Sequence, residues 1–159
     1  MASAVNDNLD LIQLVGFKLG NEDFGVDISR VQEINMMMHL TKIPNSNKFI
    51  EGVVNLRGKI VPVINLRDRL GLSKKEDDNR TKIIVSDINN KLIGYIVDEV
   101  NEVLRISKSI IEPAPELAIG IETGLIEGVA KLEGRLLILL NLDKLLNVNE
   151  IEQLHLMEE

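Results

Sequence analysis

Apolar residues in this chain come in short runs broken by glycine, asparagine and charge, and most of the runs read as strands. Ile12–Leu19 sets Val15, Phe17 and Leu19 on one face, and Gly20-Asn21 turns it into Asp23–Asp27. A turn near Ser29 leads to a third strand, Val31–Asn35, and then to a less regular stretch, Met36–Thr41. Met36, Met37 and Met38 are read there as core filler. Pro44–Ser46 signals a loop and Asn47–Glu51 a single helical turn. Gly52–Leu56 and Lys59–Leu66 then make a hairpin about Arg57-Gly58, because glycine supplies the positive φ that a tight turn needs. The run Ile60-Val61-Pro62-Val63-Ile64 is apolar almost throughout, which suits a strand covered on both faces, or a buried helical segment of equal length. Pro62 cannot donate to a ladder, which places it at an edge or a bulge. Leu66–Leu70 reads as a short helix stopped by Gly71.

The hairpin segment Phe49–Leu70 returns 76 positions later as Leu125–Leu146. Ile50-Glu51-Gly52-Val53 matches Ile126-Glu127-Gly128-Val129; Gly58 matches Gly134; Asn65-Leu66 matches Asn141-Leu142. A weaker echo, offset by 69, sets Gly25 and Val31…Ile34 against Gly94 and Val100…Val103. The chain is therefore read as a tandem pair of related halves, with the charged Ser73–Arg80 as the seam. In the second half Thr81–Ser86, Leu92–Val97 and Val100–Ile106 read as strands, with a turn at Asn89-Asn90. Ser109–Gly124, with two prolines and two glycines, reads as a long ordered loop. Asn149, with Glu152 three positions on, looks like the start of a final helix over 147–159. About five short strands per half, joined by tight turns, indicate a mainly β fold of two small barrels rather than a βαβ pattern.

Composition narrows the function. There is no cysteine, which excludes disulfides and thiolate chemistry. The net charge is −7 and aromatics make up only 3% of residues, so neither a basic stripe nor a set of stacking platforms is present for nucleic acid. The first ten residues carry no basic and long apolar signal pattern, and the longest apolar run, Leu136–Leu140, is far short of the roughly 20 residues of a membrane helix. A soluble cytoplasmic protein is the expectation.

Catalytic constellations are scarce. His39 and His155 read as surface or packed residues rather than ligands, and Asp27 and Asp98, near equivalent strand ends, as turn-capping carboxylates. Glu76-Asp77-Asp78 lacks the pattern of a calcium loop, and no phosphate-cradling loop or nucleophile elbow occurs. The halves differ most at the hairpin tip, where Arg57 answers to Glu133 and Asn55 to Lys131. An arginine on a turn is a solvated charge or an interface anchor.

The strings VDISRVQEI, GVVNLRGKIVPVINLR and GRLLILLNLDKLL resemble the CheW-like coupling proteins of bacterial chemotaxis over Leu14 to about Leu146. The NLRGxIVPVxNLR string is specific to that domain, which the kinase CheA and the CheV proteins also carry. The length matches the stand-alone coupler, so no attached kinase or receiver domain is expected. The resemblance implies two five-stranded SH3-like barrels about a shared hydrophobic layer, within a domain over 12–146 divided into subdomains at about 12–72 and 80–146. It implies an adaptor, without catalysis or cofactor, that joins transmembrane chemoreceptors to CheA. The receptor's helical hairpin tip would enter a groove between the barrels. Mapped onto this sequence, the receptor contacts would be Val31, Glu33, Gly52, Asn55 and Arg57, with Ile28 and Val100 as apolar groove residues. The regulatory domain of CheA would meet the first-half barrel, 12–70, through its strand edges. No nucleic acid, membrane insertion or metal is expected, and the free protein should be a monomer. The competing reading is a ligand-binding protein or enzyme with a cleft between the halves; a titratable cluster in a concave pocket would favour it.

Overall fold

The computed structural model describes residues 10–44, 50–113 and 125–144. The terminal helix expected from Asn149, His155, Asn47–Phe49 and most of the long loop after Pro113 lie outside these residues. Among the described residues, eleven strands form two sheets. Strands β1 (Leu11–Leu19) and β2 (Glu22–Asp27) make the first hairpin, and β3 (Val31–Met36) follows a 3-10 turn at Ile28–Arg30. The central hairpin is β4 (Ile50–Leu56) and β5 (Lys59–Asn65), ended by the short helix α1 (Leu66–Arg69). Strands β6 (Lys82–Ile88), β7 (Lys91–Val97) and β8 (Glu99–Ser107) open the second half. They are followed by β9 (Ile111–Glu112) and the repeat hairpin, β10 (Ile126–Leu132) and β11 (Arg135–Leu140). Glu51, expected in a helical turn, belongs to β4.

The sheets cut across the halves. One runs β3-β6-β7-β5-β4 and the other β8-β1-β2-β11-β10-β9. Each half thus gives its first hairpin to the sheet of the other: β6–β7 sits beside β3 and β5, and β1–β2 beside β8 and β11. The seats are parallel pairings, Val63 with Gly94 and Leu139 with Gly25, equivalent positions of the repeat. This corrects the division expected between 72 and 80. Residues 12–70 contribute strands to both sheets, so they do not form one barrel. A tandem repeat in sequence reports similarity of segments, and nothing in it says which copy of a hairpin fills which sheet.

Each sheet closes through its own chain. After β3, Thr41 exchanges two backbone hydrogen bonds with Val53 of β4, at 2.9 and 2.8 Å, so the same stretch touches both edges of the five-stranded sheet. In the other sheet β8 runs through a 3-10 turn into β9, which pairs with Val129 of β10, the repeat equivalent of Val53. That closing segment is the sixth strand. Gly52 and Gly128 permit the approach: a Cβ on either would lie 2.8 Å from the backbone oxygen of Thr41 or Glu112. Thr41 thus covers the β4 edge of the five-stranded sheet at Val53.

Among the described residues, three apolar clusters follow from the closure. Val54, Val61, Val63, Ile83 and Val85 fill the five-stranded barrel, and Leu14, Ile106, Ala130, Leu137 and Leu139 fill its counterpart. The third and largest lies between them, with Val15, Phe17 and Val26 from one sheet and Ile64, Ile84 and Tyr95 from the other. Phe17 and Phe24 stack there at 5.8 Å. Strand β5 is covered on both faces as its composition indicates, with Val61 and Val63 inside the barrel and Ile64 in the shared layer. Its first apolar residue is not: Ile60 is 52% exposed, and its repeat equivalent Leu136 is 57% exposed. Pro62 sits on a strand flanked by two others rather than at an edge. The ladder to β7 begins only at Val63, and Val53 opposite Pro62 turns its own N–H and C=O toward Thr41, so no donor is needed at Pro62. Met37 and Met38 pack against the five-stranded core, whereas Met36 is 69% exposed.

Truncating Ile64 or Leu140 to alanine should cost about 2–5 kcal/mol, since both are fully covered aliphatic side chains of the shared layer. Urea midpoints check this, and wild-type midpoints in both variants would contradict the packing described.

Candidate functional site

The residues singled out in the sequence fall into two neighbouring sets. Ile28, on the 3-10 turn, Val31 at the start of β3, and Val100 in β8 are half-buried at the margin of the shared layer. Asp27 caps the 3-10 turn by accepting from the Ser29 N–H at 2.9 Å, which fixes the turn that presents Ile28. A register shift in β3 pairs Val31 with Ser86 and Glu33 with Val85, residues on opposite faces of β6. The bulge therefore turns Val31 toward the shared layer and Glu33 toward the barrel mouth. The equivalent bulge is in β8, where Val100 pairs with Phe17 and Glu102 with Gly16, leaving Asn101 unpaired as Gln32 is in β3.

Glu33, Asn55 and Arg57 form the second set. Arg57 Nη2 donates to both carboxylate oxygens of Glu33, at 2.7 and 2.8 Å, across the mouth where β3 and the β4–β5 tip meet. The Arg57 side chain is 70% exposed, so the pair belongs to the surface and contributes little to folding. The hydrogen bond from Arg57, helped by Asn35 and outweighing partial burial, holds the Glu33 carboxyl below its ordinary range. Arg57 has φ +50° and Gly58 φ +85°, both left-handed. Asn55 accepts the Gly58 N–H at 2.8 Å and closes this turn. In the repeat hairpin only Gly134 has positive φ; Glu133 does not, and Lys131 replaces Asn55.

The structure thus gives Asn55 and Gly52 local duties that the sequence did not reveal. Asn55 shapes the turn that carries Arg57, and Gly52, buried, lets the closing segment reach β4. The Arg57–Glu33 pair was also missed, because the two residues lie on strands at opposite ends of the sheet order. Only closure brings them together. His39 is exposed, and among the described residues no group of three or more His, Asp or Glu could hold a metal ion. Asp27 and Asp98 engage separate partners: Asp27 caps its own turn as read, whereas Asp98 accepts Gly20 N–H of the distant β1–β2 turn at 2.7 Å and pairs with Arg67.

A cavity of about 370 Å³ with Asp27, Glu127 and Lys108 at its walls lies wholly within the six-stranded sheet, among β1, β2 and β9–β11. Burial, reinforced by the charge of Asp27, raises the Glu127 carboxyl. The walls of the cavity come from both halves of the sequence, because β1 and β2 sit in this sheet, yet it lies within one barrel rather than between the two.

Residues 13–150 match the CheW-like domain. The chain belongs to that family. Among CheW-like relatives it is 42% identical to chemotaxis protein CheW of Klebsiella aerogenes over 135 residues, covering 85% of this chain and 81% of the other. It is 31% identical to chemotaxis protein CheW of Helicobacter pylori over 144 residues, 91% and 87% of the two chains. The crystal structure of the scaffolding protein TtCheW from Thermoanaerobacter tengcongensis superposes with a TM-score of 0.80 at 40% identity, covering 87% of this chain and 90% of that one. The two-sheet, mainly β architecture is therefore that of a CheW-like domain, and among the described residues no helix is long and apolar enough to cross a membrane.

Arg57→Ala should release Glu33, whose carboxyl then returns toward the ordinary glutamate pKa of about 4.3. A carboxyl-carbon NMR titration of Glu33 in both proteins checks this. The depressed value leaves the pair intact at neutral pH and breaks it only as pH falls through that value. An identical Glu33 titration in the variant would contradict the pairing.

Proposed function

We propose that this chain is a non-enzymatic cytoplasmic adaptor that couples transmembrane chemoreceptors to the histidine kinase CheA. The observation that carries the reading is the adjacency of the two sets of residues. An apolar margin of Ile28, Val31 and Val100 lies beside an exposed arginine that a glutamate holds in place. A helical hairpin tip offers the complement, with an apolar face for the groove and carboxylates or end carbonyls for a guanidinium. Arg57 also occupies a left-handed position that asparagine or glycine would hold with less strain, and the second half avoids that conformation. Strain kept at an exposed turn is a mark of function rather than of folding.

Glu33 acts in this reading as an orienting partner. It restricts the guanidinium to one direction and lowers the side-chain entropy lost on binding. Asn55 and Gly52 act through the turn and the barrel closure. The kinase's regulatory domain would dock on the five-stranded barrel, by side chains at the hairpin ends rather than by strand addition. Exposed Ile60 stands at one of these ends, beside the β6–β7 turn.

Arg57→Ala should weaken binding of a soluble receptor hairpin by about thirtyfold, the scale of a hot-spot truncation. Its urea midpoint and its affinity for the kinase domain should match wild type. Calorimetric titrations with the two partners decide the matter. Unchanged receptor affinity would reduce Arg57 to a solvated turn charge and remove the main support for the proposed site.

A further inference from the structure

The chain crosses between the sheets at two equivalent places, β2 to β3 and β7 to β8, and an ion pair sits at each. At the second crossing Arg67 of α1 grips Asp98, with Nε to Oδ1 at 2.9 Å and Nη2 to Oδ2 at 2.5 Å. Arg67 Nη1 also donates to the Ser73 carbonyl at 2.7 Å. Asp98 in turn accepts from Gly20 N–H in the β1–β2 turn, and its own N–H donates to the Lys18 carbonyl at 3.0 Å. One carboxylate thus ties α1, which ends the five-stranded sheet, to the β1–β2 hairpin of the other. Both side chains are nearly covered, at 11% and 14% exposure.

The other crossing carries the same device with the charges reversed. Asp143 stands 76 positions after Arg67, and Asn141 caps its turn as Asn65 caps α1, each accepting an N–H at 3.0 Å. Asp143 pairs with Arg30, on the 3-10 turn that precedes Val31, at 3.0 Å. This pair is 35% and 56% exposed, and an exposed pair of that kind holds its place weakly. Removing one partner of a covered, multiply bonded pair, in contrast, leaves a charge without its solvent.

We propose that Arg67 and Asp98 are positioning residues for the groove. Asp98 stands two residues before Val100, at the point where the chain enters the six-stranded sheet, so the grip on Asp98 fixes Val100 relative to Val31. The β7–β8 crossing is the pivot between the barrels, and the β2–β3 crossing is the looser one. The effect on receptor binding rests on the function proposed above; the geometric claim does not.

The chain has no cysteine, so paired spin labels can be placed at exposed Gln32 and Asn101, in β3 and β8, by substitution to cysteine. Electron–electron resonance should give one narrow distance distribution for the otherwise wild-type protein. Arg67→Lys, which keeps the charge and loses the fork, should widen it, as should the isosteric Asp98→Asn. Arg30→Ala should leave it narrow, and urea melts confirm that each variant is folded. Unwidened distributions in both Arg67→Lys and Asp98→Asn would overturn the proposal, and equal widening in Arg30→Ala would overturn the assignment of the pivot. Affinity for a soluble receptor hairpin should fall about fivefold in Arg67→Lys, as it does when the competent fraction drops to about a fifth. A widened distribution with unchanged affinity would uphold the pivot and count against the groove as the receptor site.

Discussion

The parallel seating of β2 beside β11 and of β7 beside β5 is the constraint on which the rest of the structure depends, since each seat places a hairpin from one half in the sheet of the other. A sheet lacking its borrowed hairpin would lose two of its strands and one wall of the shared layer. The barrels are therefore bound into one body by their own connectivity as well as by contact. Small residues are required where the seats are tight. A Cβ on Gly94 would lie 2.9 Å from an Ile83 methyl, and one on Gly25 would lie 3.2 Å from Leu137, which accounts for the echo between these glycines.

From this exchange the groove follows. Because the chain must pass twice between sheets, each passage leaves a short segment at the boundary of the shared layer. Ile28 and Val31 lie on one of them and Val100 just after the other. Half-buried apolar residues at such a boundary are neither core nor ordinary surface, and they supply the apolar floor a helical partner needs. Tyr95, buried in the layer with its hydroxyl pushed up by desolvation, reaches the Leu142 carbonyl at 3.5 Å and adds a polar tie between the sheets.

Much of this was legible in the chain. Alternation along Ile12–Leu19 gave β1 and its buried face, and the repeat located both hairpins. What could not be read was partnership over long distance. Periodicity reports which face of a strand is covered and is silent on which strand lies alongside, so the hairpin exchange stayed hidden. The same limit concealed the Glu33–Arg57 and Arg67–Asp98 pairs, whose members lie 24 and 31 residues apart. Ile60 and Leu136 misled for a different reason. An apolar run shows where a strand is, and its first residue can project beyond the neighbours that cover the others.

The central claim is that a receptor's helical hairpin seats in the groove between the interlocked barrels. Methyl NMR of the full chain, with isoleucine and valine labelled, tests it most directly when a soluble receptor hairpin is titrated in. The account predicts that the methyls of Ile28, Val31 and Val100 shift first and most, while Ile106, in the core of the six-stranded barrel, stays still. Shifts concentrated elsewhere, with the three groove residues unchanged, would contradict it.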